Sequence, residues 1–187
     1  MEKQLFTVSI FSENTVGILS QVTIIFTRRC INIESMSASE CSIPGIHKST
    51  ITAWSTRDVM EKVVKQIEKC VDVLRAFLWT DDDIVYQEVA LYKVSTSLLI
   101  DEPHLEKIIR AHGARILDVT KEYTVIEKTG HYRETQALFE ELKRYDIRQF
   151  VRSGRITVTK SPREYVTEYI AEQEIRAQKQ LKEGDAK

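Results

Sequence analysis

Residues 3–11, KQLFTVSIF, alternate so that Leu5, Thr7, Ser9 and Phe11 fall on one side and Phe6, Val8 and Ile10 on the other. That period of two predicts a strand with one strongly buried face. From Gly17 the period changes: Ile18, Leu19, Val22, Ile25 and Phe26 recur at helical spacing while Ser20, Gln21, Arg28 and Arg29 fall elsewhere. A helix of about three turns follows. Residues 32–41 and 46–55 read as strands joined by Ile43-Pro44-Gly45, where proline presets one torsion and glycine accepts a positive one, so they form a hairpin. Residues 57–70 set Val59, Val63, Val64 and Ile67 on one helical face against Glu61, Lys62, Lys65 and Glu68, and an apolar strand runs from Val71 to Trp79. The order is βαββαβ.

Asp81-Asp82-Asp83 interrupts the apolar pattern. It lacks the spaced oxygen ligands and glycine of a calcium loop and reads as a solvated linker. Beyond it the order repeats: a strand from Tyr86 to Leu98, a helix from Glu102 to His112 broken by Gly113, strands near 114–120 and 123–128, a helix from His131 to Lys143, and a strand from Ile147 to Val158. The predicted class is therefore α+β, two tandem ferredoxin-like βαββαβ domains over residues 1–80 and 84–160, followed by a tail over 161–187. Pro162 marks the start of a tail helix whose sparse stripe of Tyr165, Val166, Tyr169 and Ile170 suits docking on the body or a partner. Its polar end is expected to fray.

Composition narrows the chemistry. The 187 residues are 42% hydrophobic, enough for a real core, and 27 Lys and Arg balance 28 Asp and Glu. Nothing in that balance points to nucleic acid or an anionic membrane, which leaves a small molecule or another protein as partner. The N-terminal MEKQLFTVSIF has no basic segment followed by a long apolar one, and no apolar run suits a membrane span, so a cytoplasmic protein is expected. Cys30, Cys41 and Cys70 are an odd number without C-x-x-C spacing, which indicates neither a disulfide framework nor a zinc ribbon. His47, His104, His112 and His131 are scattered, outside any zinc or nucleophile motif. Neither a catalytic nor a metal site is predicted.

The segment from Ser12 to Ser35 is the most informative: a strand, a glycine-containing turn, a helix, then a strand opened by Asn32. Such a turn presents backbone N–H groups at the positive end of a helix, which suits a ligand carboxylate. Gly17, Ile18 and Leu19 would supply the N–H groups and Asn14 a side-chain amide. The same residues also fit a site-free account in which Asn14 caps the helix, Gly17 makes a tight turn and Asn32 begins a strand. Arg28-Arg29 suits a phosphate, and suits better the negative end of the helix dipole.

Glu13-Asn14-x-x-Gly17-x-Leu19-Ser20 and Arg29-x-x-Asn32-Ile33-Glu34-Ser35 resemble the opening of the small, regulatory subunits of acetohydroxyacid (acetolactate) synthase. Val71-Asp72-Val73-Leu74-Arg75, Ile116-Leu117-Asp118-Val119-Thr120, Tyr123-Thr124-Val125 and Arg152-Ser153-Gly154 extend the likeness, in the family's order, over residues 3–158. The resemblance implies that the first domain is an ACT domain pairing side by side with its twin in a homodimer. It further implies that valine binds where Asn14, Gly17, Ile18 and Leu19 of one subunit face Asn32 and Ile33 of the other. The implied partner is the large catalytic subunit, which carries thiamine diphosphate, Mg and FAD; this chain would hold no cofactor, raise the large subunit's activity and convey feedback inhibition by valine in branched-chain amino-acid biosynthesis. Ile18 stands where the family commonly has alanine or valine, and Cys30-Ile31 replaces a glycine and an aromatic residue. The extra methylene groups are expected to narrow the pocket, and competition by leucine or isoleucine stays open. Arg152-Ser153-Gly154-Arg155 suits either a subunit contact or a bulge at Gly154, and the tail departs from the family. The alternative function is a free-standing ACT-type amino-acid sensor acting on another protein.

Overall fold

The structure, a computed structural model, describes residues 2–101 and 103–184. Expectations that fall on Met1, Glu102 and residues 185–187, including the frayed tip of the tail, lie outside the described residues. The first unit comprises β1 (Gln4–Glu13), α1 (Ile18–Thr27), β2 (Ile33–Glu40), β3 (Ile46–Ser55), α2 (Arg57–Ile67) and β4 (Val73–Trp79). Its sheet is antiparallel in the order β2-β3-β1-β4. The second comprises β5 (Ile84–Ser95), α3 (Thr96–Asp101), α4 (Pro103–Ala111), β6 (Arg115–Val119), β7 (Tyr123–Gly130), α5 (Tyr132–Leu142), β8 (Gln149–Arg152) and β9 (Ile156–Thr159), and α6 (Tyr165–Gly184) ends the described chain. Its strand order is β6-β7-β5-β8, with β9 paired to the beginning of β5. No helix among the described residues is long and apolar enough to cross a membrane.

Each unit has its own core, set by the periods of the sequence. Phe6, Val8 and Ile10 of β1, with Ile51 and Ala53 of β3, meet Val22, Ile25 and Phe26 of α1 and Met60, Val63 and Ile67 of α2. In the second unit Ala90, Tyr92, Val94 and Ile126 pack on Leu105, Ile108, Ile109, Leu138 and Leu142. The Tyr92 hydroxyl donates to Thr135 O at 2.6 Å, and burial pushes its pKa up to about 12, so it stays a donor.

The other face of β1 departs from expectation, because it is buried too. Thr7, Ser9, Thr50 and Thr52 are at most 3% exposed although all are polar. Residues 155–157 lie across them: Arg155 Nη1 donates to Thr7 Oγ1 at 3.4 Å, Ser37 Oγ donates to Arg155 O at 2.9 Å, and Ser9 Oγ and Thr157 Oγ1 are 3.5 Å apart. Short hydroxyl side chains supply hydrogen bonds without bulk, so two sheets approach closely.

Four further corrections concern the linker, the second unit and the tail. Thr96–Asp101 is helical rather than the end of the preceding strand. The single strand predicted from Ile147 to Val158 is two, β8 and β9, on different stretches of β5. Ser153 holds the break by donating its N–H to Val89 O at 2.8 Å and accepting from Val89 N–H at 2.9 Å. Asp81 is not merely a solvated linker residue, since Oδ1 lies 2.8 Å from Arg155 Nη1. In the tail, helix begins at Tyr165 rather than at Pro162.

Helix α1 ends with Ile31 N–H donating to Phe26 O at 3.0 Å and with Cys30 at φ +53°, the left-handed position that glycine usually fills after a helix. A Cβ there costs about 1–2 kcal/mol, partly offset by the smaller unfolded-state entropy of cysteine. Cys30→Gly is therefore expected to stabilise the chain by about 0.5–1 kcal/mol in urea melts; an unchanged or lowered midpoint would contradict a strained Cys30.

Candidate functional site

Strand β1 ends where Glu13 N–H donates to Asp72 O at 2.9 Å, and Thr15 N–H then turns back to Glu13 O at 3.0 Å. Gly17, at φ +90°, stands at the N-cap of α1, and no side chain caps the helix there. Asn14 is thus an exposed residue rather than a cap. Ile18 N–H makes a long 3.4 Å bond to Thr15 O, while the N–H groups of Gly17 and Leu19 meet no backbone acceptor among the described residues. Positive helix dipole and unused donors therefore coincide at an exposed turn.

The side chains around these donors divide sharply. Ile18 is 6% exposed and packs inward with Val22 and Ile25, so it reaches the outer surface only through its backbone. The expected narrowing of a pocket by its methylene groups has no side chain on that surface to produce it. Leu19 is exposed, and so is Val16, which periodicity passes over because it precedes the helix. An apolar side chain on either flank of free N–H groups suits a ligand with a carboxylate and a branched apolar body.

Asn32 is exposed and Ile33 half-buried against the first core. Both lie at the far end of α1, whose ten residues span about 15 Å. Strands β1 and β2 are each antiparallel to β3, so the turn after β1 and the start of β2 sit at opposite ends of the sheet. One chain does not bring the two halves of the predicted site together.

A second polar centre joins the two units. The Arg155 guanidinium lies 3.9 Å from the Tyr86 ring centroid, and the Tyr86 hydroxyl donates to Asp81 Oδ2 at 3.2 Å. Burial raises the pKa of that hydroxyl, which keeps it a donor. Arg152 Nε lies 2.9 Å from Glu88 Oε1 but off line for a hydrogen bond, its Nη2 donates to Gln136 Oε1 at 3.0 Å, and Thr135 Oγ1 donates to the same Glu88 oxygen at 2.5 Å. Asp81, Tyr86, Glu88, Arg152 and Arg155 border a cleft of ≈ 1070 Å³ that also carries Glu34, Trp54 and His131. Arg155, through Thr7 and Ser37, ties the second unit to the first, while Arg152 and Glu88 pair within the second. Among the described residues, no three His, Cys, Asp or Glu side chains converge as metal ligands.

Neither Arg152 nor Arg155 stands out by periodicity; the only sequence signal for the joint is the Arg152-Ser153-Gly154-Arg155 motif.

Comparison with known proteins places this architecture. Residues 8–75 match the AHAS small subunit-like ACT domain, and residues 87–161 match the small subunit of acetolactate synthase. The acetolactate synthase small subunit of Mycobacterium leprae is 30% identical over 162 residues, covering 84% of this chain and 92% of the relative. That of Bacillus subtilis is 31% identical over 153 residues, covering 81% and 87%. The crystal structure of the acetolactate synthase small subunit from Thermotoga maritima superposes with a TM-score of 0.77 at 25% identity, over 86% of this chain and 99% of that one. With both units matched in sequence and in fold, the chain belongs to the acetolactate synthase small-subunit family.

Proposed function

We propose that this chain is the regulatory subunit of a cytoplasmic acetolactate synthase: it activates a large catalytic subunit and conveys feedback inhibition by valine in branched-chain amino-acid biosynthesis. The chemistry belongs to the large subunit, with its thiamine diphosphate, Mg and FAD, and this chain contributes no catalytic group or cofactor. The observation that carries the valine site is the uncapped turn at Gly17, whose free N–H groups stand between Val16 and Leu19. Valine's carboxylate suits the N–H groups of Gly17 and Leu19, and Asn14 is placed to reach its polar end.

Pairing completes the site. Strand β2 is an edge of its sheet with Ala38, Ser39 and Glu40 exposed. Two such edges joined antiparallel about a two-fold axis would set the turn end of one unit towards the Asn32 end of the other. Valine then acts by favouring one arrangement of that pair, with a coupling of about 1–3 kcal/mol.

The test is acetolactate formation by the purified large subunit, with and without this chain, across a valine titration. Activation that falls with saturable valine supports the reading; no effect on the large subunit would favour a free-standing amino-acid sensor instead. Gly17→Asp adds strain at positive φ and sets a carboxylate at the anion site, so it is expected to raise the half-inhibiting valine concentration by about tenfold or more while activation persists. Asn14→Ala should act in the same direction and more weakly. Loss of activation with valine sensitivity intact would contradict this division of labour.

A further inference from the structure

A second cavity, of ≈ 360 Å³, lies on the helix-free face of the first sheet beneath the start of α6. Its apolar wall is aromatic. Phe77 stacks on Trp79 with centroids 5.5 Å apart, and Tyr165 tilts against both at 5.5 and 6.2 Å. Phe11 adds an edge to Phe77 at 6.1 Å. Val166 is 1% exposed, so the first turn of α6 is a fixed part of the enclosure.

Two cations line the cavity: Arg163, which is paired with Glu168, and Lys48. Lys48 of β3 is half-buried, its ammonium donates to Thr157 O, and it lies 5.6 Å from the Phe11 ring centroid. An ammonium has three donors, and no carboxylate among the described residues forms an ion pair with this one. Glu164, exposed on the approach to α6, and the Cys41 thiol are the charged or titratable groups that act on it. Desolvation outweighs both and holds Lys48 below the ordinary lysine range. Glu164 faces this half-buried ammonium without forming an ion pair with it, so donors of Lys48 stay free for an anion.

We propose that this cavity binds a small monocarboxylate with an apolar body, its carboxylate on Lys48 and its body against Phe77 and Trp79. The volume lies in the range of small-molecule sites, and an apolar wall beside a few placed polar groups, here Lys48 with Ser9, Thr157 and Thr159, is their usual construction. The site is separate from the Gly17 turn, since Lys48 lies on the sheet face opposite the α1 side. Much of its rim, Ser161 to Val166, comes from the segment at and beyond the end of the matched family region at residue 161.

Trp79 lines this cavity and Trp54, the other of the two tryptophans, lines the cleft between the units, so a full-length Trp54→Phe chain reports on the cavity alone. Isovalerate is expected to change its fluorescence saturably, and the neutral isovaleramide to bind about tenfold more weakly or worse. Lys48→Met should weaken isovalerate by a similar factor, Lys48→Arg should largely retain it, and Gly17→Asp should leave it unchanged. Equal binding of acid and amide, the absence of a saturable response, or loss of the response in Gly17→Asp would overturn the assignment. Should Lys48→Met fail to fold by near-ultraviolet circular dichroism, the comparison of acid with amide on the otherwise native chain still decides.

Discussion

Arg152→Ala is expected to destabilise the chain by about 3–5 kcal/mol, the usual consequence of leaving one member of a buried ion pair behind. Glu88 is 5% exposed in its side chain, Arg152 18%, so neither charge is well screened by water. Without the guanidinium, Glu88 retains one hydrogen bond, from Thr135 Oγ1. The guanidinium also covers the Tyr132 ring at 4.3 Å and the Phe150 ring at 5.1 Å, packing that alanine does not replace. Urea melts of the full chain measure the loss. Adding Glu88→Gln should recover part of the loss by removing the unpaired charge. A loss under about 1 kcal/mol, or a double variant no more stable than Arg152→Ala alone, would show that the pair is held more loosely than its geometry implies.

The architecture was legible where one element buries one apolar face. Phe6, Val8 and Ile10, and the Val63, Val64 and Ile67 stripe, are periodic because each packs on a single layer. Burial by polar residues leaves no such trace, and Thr7, Ser9, Thr50 and Thr52 look like a solvent face until Arg155 and Thr157 are laid across them. The break between β8 and β9 is hidden for a related reason. Ile147, Val151, Ile156 and Val158 suggest one apolar strand, yet Gly154, at the interruption, lies against Met36, more than a hundred residues away in the chain. In the Asn14–Leu19 turn, the glycine and the free donors were legible as local chemistry. The inward turn of Ile18 follows from its helical stripe with Val22 and Ile25, whereas the exposure of Leu19 is set by the fold.

Gly154→Ala should loosen the joint between the two units, by about 1–3 kcal/mol, and Gly154→Val by more. The glycine is not needed for an unusual torsion. It is needed for space: a Cβ there would stand 2.9 Å from both Met36 C and Met36 O and 3.2 Å from Ser37 Cβ. Two of those atoms are backbone, so no rotamer change relieves the overlap, and either β2 or the segment after β8 must move. Movement lengthens the bond from Ser37 Oγ to Arg155 O and pulls Arg155 from Thr7 and Asp81. The separate cores of the two units remain, so the damage is predicted to be local: hydrogen exchange should quicken along β2, and Trp54, which lines the adjoining cleft, should change its emission before global unfolding. Strand β2 is also the edge through which two chains are proposed to pair. Gly154→Ala should therefore shift valine inhibition of the holoenzyme although residue 154 lies outside the proposed valine contacts. Unaltered exchange in β2 with an unaltered melt would mean that the overlap is absorbed elsewhere; loosened β2 with unaltered valine inhibition would separate the joint from regulation and leave it a purely structural seam.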